Sequence, residues 1–184
     1  MDREEALQIV KQRISGPRFD HTVRVLKTAL DLAVQYGADE KKTEIAAIFH
    51  DYAKLQPISE LKKVILEKKL DSRLLDYHSE LWHGPVAASI VQEEMGVHDK
   101  DVINAIRYHT TGRAGMSLLE KIIYLADYIE PGRQFPGLDE VRALAKTDLD
   151  LALTKAIGNT MKFLIDQSAQ IFPDTLEAYN DMVK

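Results

Sequence analysis

The sequence predicts an all-α protein, and three observations carry that prediction. Apolar residues recur at intervals of three and four along most of the chain. Helix punctuation is dense, with Asp or Ser before these runs and Gly or Pro after them. Strand signals are nearly absent: polar and apolar residues never alternate for long, and no Asn-Gly or Asp-Gly hairpin turn occurs. With 184 residues, 45% of them hydrophobic, the chain is long enough to bury one core, and no repeat or long linker divides it.

Taken in order, residues 2–14 place Ala6, Leu7, Ile9, Val10 and Ile14 at helical spacing until Gly16-Pro17 ends the run. From Arg18 to Tyr36 the recurring residues are Val23, Leu26, Leu30 and Val34, and Gly37 stops them. Asp39 predicts the N-cap of a helix reaching about His50, and Ser59 that of a charged helix through about Lys68. Gly84-Pro85 predicts a helix start, since proline suits the first helical position, with closure near Gly96. Asp99 opens a helix to about Tyr108. Ser117-Leu-Leu-Glu120 has the form of a capping box for a helix to about Ile129, broken by Pro131-Gly132. Residues 138–168 follow, with a break near Thr147, and 174–183 after Pro173. Gly158, in an apolar helix, suits close packing against a neighbouring element or a second copy of the chain, so a homodimer stays open.

Composition excludes several functions. The net charge is −5, from 24 basic and 29 acidic residues intermixed along the chain. No basic tail or stripe is present, which argues against a nucleic-acid partner held by phosphate electrostatics. A small anionic substrate remains compatible, because a few local cations outweigh a mildly negative surface. Cysteine is absent, so disulfide and thiolate chemistry are excluded and a reducing cytoplasmic setting is expected. The start, MDREEALQIVKQRI, lacks the apolar segment of a signal peptide, and no run reaches the ~18 apolar residues of a membrane span, so no membrane partner is expected.

Chemistry concentrates in the histidines. His21 falls early in the second helix, His50 and Asp51 end the third, His83 precedes Gly84-Pro85, and His109 ends NAIRYH before the loop TTGRAG. Asp127 lies near the end of the apolar KIIYLADYIE. Imidazole and carboxylate together suit a transition metal, and without cysteine the set leans towards iron or manganese, with zinc as an alternative. Two ions held ~3.5–4 Å apart can clamp attacking and phosphoryl oxygens together. Each residue alone has a plainer reading as a polar group at a helix end, and spacing by itself leaves both readings open.

The motifs add a resemblance. His21, His50-Asp51 and Asp127 follow the H…HD…D order of the HD-domain metal-dependent phosphohydrolases, and FDHTVRV, AAIFHDYAK and IIYLADYIEPGR are similar to that family's local contexts. His83 and His109 resemble the two additional histidines of the branch that can hold a second metal. RYHTTGR followed by LADYIEPGR resembles the YqeK-type bacterial proteins in particular, over nearly the whole chain.

That resemblance implies one helical HD-type domain over residues 1–184, with a metal core at 18–133 and C-terminal helices 138–184 packed on it. It implies symmetrical hydrolysis of diadenosine tetraphosphate to two ADP by metal-bound hydroxide attacking an inner phosphorus. His21, His50, Asp51 and Asp127 would ligate the principal ion, most simply iron, and Asp51 would bridge to a second if one is held. His83 and His109 would bind that second ion or contact phosphate. Lys54, three residues beyond Asp51 and one turn along if the helix continues, would join Asp51, His83 and His109 in catalysis and binding. Arg18, one turn before His21, Arg133 and Thr110 would meet the phosphates. Arg113 is a weaker candidate, and Arg24 would pair with a helix-face carboxylate.

QIFPDTLEAYN resembles a segment that encloses the nucleotide, making Gln170, Asp174 and Thr175 candidate contacts, although Tyr179 stands where that segment carries an arginine. His78 and His98 match no ligand position, and Trp82 is a wall of the core before it is a base-stacking platform. Two other readings compete. One is an HD-type nucleotidase or phosphodiesterase acting on a deoxynucleotide or guanine nucleotide; the other is an inactive HD regulatory module. A purely structural bundle would leave the six-residue set without a purpose.

Overall fold

A computed structural model describes residues 1–184. It contains ten α-helices and no strand: α1 (Arg3–Arg13), α2 (Pro17–Tyr36), α3 (Glu40–Phe49), α4 (Ile58–Glu67), α5 (His83–Glu94), α6 (Lys100–Tyr108), α7 (Leu118–Ile129), α8 (Leu138–Leu144), α9 (Leu149–Asp166) and α10 (Pro173–Met182). Two short 3-10 turns, Ser72–Asp76 and Ser79–Leu81, bridge α4 to α5 and were not expected. None of the helices is long and apolar enough to cross a membrane.

The caps explain why most boundaries fall where the sequence places them. Asp39 accepts from Lys42 N (3.0 Å), Asp99 from Asp101 N (2.9 Å), and Ser117 and Glu120 form the reciprocal capping box. The break near Thr147 is a new start, with Asp148 accepting from Leu151 N (2.9 Å). Pro17 and Pro173 each open a helix, where a missing N–H costs nothing.

Three local expectations are corrected. Ser59 lies inside α4, which starts after Pro57. Pro85 is the third residue of α5, because the 3-10 turn before it already carries Trp82 into helical geometry and the helix opens at His83. In α2 the buried face is His21, Thr22, Val25, Leu26, Ala29, Leu32 and Ala33, while Val23 and Val34 are 42% and 67% exposed. Ala29 and Ala33 lie in that stripe beside Val25, Leu26 and Leu32.

The bundle centres on α3 and α7, which have nearly continuous buried sequences. α2 packs on both, α6 packs on both from another side, and α5 covers α6. α9 backs α7 and carries α8 and α10. Arg142 of α8 pins the exit from α7, donating to the carbonyls of Ile129 (3.0 Å), Glu130 (2.9 Å) and Arg133 (3.0 Å). Gly158 finds its close neighbour within the chain: a Cβ there would sit 3.5 Å from the Tyr179 ring of α10.

α5 crosses α6 closely at Gly84. A Cβ on Gly84 would lie 2.9 Å from the Arg107 carbonyl oxygen and 3.3 Å from Cε1 of His109. The obstacle is backbone, so it cannot step aside. Gly84→Ala is therefore expected to lower stability by about 1–3 kcal/mol, as overpacking does; urea unfolding followed by circular dichroism measures it.

Candidate metal centre

Helix ends aim the six polar residues at one point. His21 sits one turn inside α2, His50 caps the C-terminus of α3 with Asp51 next to it, and His83 is the first residue of α5. His109 caps α6, and Asp127 lies in the last turn of α7. The four histidines and Asp51 are at most 5% exposed. Asp51 is the hub. Its Oδ2 lies 3.6 Å from Nε2 of both His21 and His50, and its Oδ1 lies 3.1 Å from Nε2 of His83 and 3.7 Å from Nε2 of His109. Asp127 Oδ1 closes the first half, 3.0 Å from His21 Nε2 and 4.0 Å from His50 Nε2.

The second nitrogen of each ring fixes its orientation. Nδ1 of His50, His83 and His109 faces the carbonyls of Ala47 (2.7 Å), Glu80 (2.7 Å) and Ile106 (2.8 Å), and Nδ1 of His21 faces Glu130 Oε1 (3.0 Å). Those oxygens only accept, so each Nδ1 donates, and any of these rings in its neutral form turns an Nε2 lone pair inwards. Nε2 of His83 and His109 meet at 3.1 Å, and the buried Nε2 atoms of His21 and His50 have no hydrogen-bond partner. Lone pairs and carboxylate oxygens converging in this way repel unless a cation lies between them. The donor set fits divalent metal: one group is His21, His50 and Asp127, the other His50, Asp51 and His109, with ligand atoms in each within 4.8 Å of one another.

Electrostatics agree. Burial pushes the His50 imidazole down to about 4 and lowers that of His83, so both are neutral and ready to ligate at pH 7. Burial alone would raise Asp51 and Asp127, but the facing imidazoles hold both well below the usual carboxylate range. For His21 burial pulls downwards, and Asp127 with Glu130 outweighs it, leaving this ring above its ordinary 6.5.

The surrounding candidates divide. Arg18 donates to Asp51 Oδ2 (2.8 Å), Arg133 donates to Asp127 Oδ1 (2.8 Å), and Thr110 Oγ1 is 3.2 Å from His109 Nε2. Lys54 does not lie on a continued helix: α3 ends at Phe49, the chain turns, and Lys54 Nζ pairs with Glu80 Oε2 (2.6 Å) just before His83. Gln170 is exposed, Asp174 pairs with Arg73 (2.9 Å) and Thr175 is buried, so this segment lies by a separate hollow that Asp174 lines with Arg107, Thr111 and Phe172. Arg113 is tied to Glu120. His78 caps Glu80 N, His98 is exposed, and Trp82 donates to the Leu74 carbonyl within the core (2.7 Å).

Sequence reasoning missed Glu130. It is 1% exposed, orients His21 through Oε1, and is neutralised by Arg24 (2.6 Å) and the Gly132 N–H. The signal was present in a charged residue at the end of an apolar helix directly before Pro131-Gly132, and Arg24 does pair with a carboxylate as expected. A carboxylate behind a ligating imidazole fixes the ring and raises its basicity.

Fold and centre together define a class. The HD domain model matches residues 18–132, and the chain belongs to that family. Within it the chain groups with the symmetrical bis(5'-nucleosyl)-tetraphosphatases. It is 58% identical to the protein of that name from Bacillus subtilis and 52% to the one from Halalkalibacterium halodurans, covering 100% of this chain and 98% of each relative. A crystal structure from Clostridium acetobutylicum, described as a predicted HD superfamily hydrolase involved in NAD metabolism, superposes with a TM-score of 0.94. It is 38% identical, and the match spans 100% of this chain and 97% of that one.

Two outcomes follow from this geometry. Glu130→Gln should weaken manganese binding about 10–100-fold while leaving helical circular dichroism unchanged, as loss of a carboxylate behind a ligand does; isothermal titration calorimetry reads it. Because the elevated His21 ring must shed its proton to ligate, manganese affinity should fall as pH is lowered from 8 towards 6, with protons released on binding. Calorimetry in buffers of different ionisation enthalpy counts those protons.

Proposed function

We propose that this chain hydrolyses diadenosine tetraphosphate symmetrically to two ADP. The observation that carries this reading is the placement of Asp51, whose two oxygens each face a separate pair of imidazoles. His21, His50, Asp51 and Asp127 would hold one divalent ion, and Asp51, His83 and His109 a second. Iron is the first reading for the one or two ions, and manganese or zinc suits the same imidazole and carboxylate donors. When bound, such ions supply Lewis acidity at a phosphoryl oxygen and activation of water.

The rest of the work falls to the chain. The substrate is polyanionic, and three cations stand at the centre's edge. Arg18 and Arg133 each use one guanidinium nitrogen on a ligand carboxylate and keep other N–H groups for phosphate. Lys54, held by Glu80, places an ammonium beside His83. Thr110 offers a hydroxyl next to His109. These groups hold the phosphate chain across the centre so that water adds at one inner phosphorus and the P–O bond to the central bridging oxygen breaks, that oxygen leaving on the second ADP. Positioning and charge neutralisation then account for the catalysis, with no protein nucleophile. Residues 18–133 supply this machinery, and 138–184 back it as part of the same domain.

Product analysis tests the reading: ADP alone from diadenosine tetraphosphate supports it, whereas AMP plus ATP, or faster turnover of a mononucleotide, rejects it. Asp51→Ala should abolish ADP formation and leave helical circular dichroism intact. Wild-type turnover in that variant, in chelator-treated buffer, would refute the metal assignment.

A further inference from the structure

A cavity of about 700 Å³ opens from the metal centre between α7 and α9, with His109 and Asp127 on its floor. Its size falls within the roughly 300–1,000 Å³ of small-molecule sites. None of the residues expected to enclose the nucleotide, Gln170, Asp174 or Thr175, lines it. Its walls are instead Tyr128, Phe135, Asn159 and Phe163. The Tyr128 and Phe135 rings meet edge to face at 5.1 Å, and Phe163, a large apolar side chain at the rim, is 62% exposed. Asn159 carries a buried amide nitrogen with no hydrogen-bond partner. Gly137 keeps the space beside that nitrogen open, since a Cβ there would lie 3.1 Å from it.

A buried donor without an acceptor costs stability unless something else completes it. Exposed and half-exposed aromatic rings around the same space supply flat faces of the kind that stack on nucleobases. We infer that this cavity holds the nucleoside of one substrate half, its base against Phe135 and Phe163, with the Asn159 amide donating to an acceptor atom on the base edge. The inference rests on the nucleotide reading above and adds to it: the phosphates are held at the centre, and the base is read by α9, a helix with no ligand residue.

Calorimetry on the manganese-loaded protein separates the two contributions, using ADP as a probe with a base and pyrophosphate as one without. Asn159→Ala should weaken ADP binding about fivefold or more, as loss of a hydrogen bond does, and leave pyrophosphate binding unchanged. Phe163→Ala, which removes an exposed side chain and so spares the core, should weaken ADP binding about tenfold with pyrophosphate again unchanged. Unchanged ADP binding in both variants, or equal losses for ADP and pyrophosphate, would overturn the subsite. Failure of the wild-type protein to form ADP from diadenosine tetraphosphate would overturn the parent reading instead.

Discussion

The rest of this structure depends on one buried carboxylate facing four imidazoles. Burying Asp51 among neutral rings is unfavourable by several kcal/mol for an unpaired charge, and the lone pairs turned towards it make the arrangement worse. It is sustained by two things. Arg18 compensates one oxygen from the side, and the geometry of the donors admits a cation on either side of the carboxylate. Binding metal therefore relieves repulsion that folding has built in, and metal adds to the stability of the folded state by mass action. The apolar core serves this purpose as much as cohesion: Phe49, Ile48 and Ile106 are fully buried beside the ligands and fix where each helix ends.

Legibility in the sequence followed the range of the interaction. Caps are local, and Asp39, Asp99 and Ser117 mark their helix starts correctly from the sequence. The six residues that cluster could be singled out because their motifs are local too. What could not be read was pairing across the chain. Glu130 orients a histidine 109 residues away, and its place before Pro131-Gly132 marks a charged helix end without naming that partner. Lys54 looked like the next turn of a helix, but α3 stops at Phe49 and Glu80, 26 residues on, takes the ammonium. In α2 the buried face mixes Thr22, Ala29 and Ala33 with Val25, Leu26 and Leu32, and spacing alone does not separate these from the exposed Val23 and Val34.

Labour is divided between the helices. α2, α3, α5, α6 and α7 each bring at least one of the six clustered residues to the centre, in or beside the helix. α8, α9 and α10 contribute none. Arg142 nonetheless ties α8 to the carbonyls that follow Asp127, coupling the second group of helices to the position of a ligand and of Arg133. Loss of the Arg142 side chain would therefore reach the centre through the backbone around residues 129–133.

The spread of the ligands from His21 to Asp127 has a consequence for synthesis of the chain. A nascent chain that has emerged only as far as α3 offers His21, His50 and Asp51, and the centre lacks its closing carboxylate until α7 has left the ribosome. The full donor set is thus present only once α7 has been made, when Asp127 and Glu130 arrive together on one helix terminus.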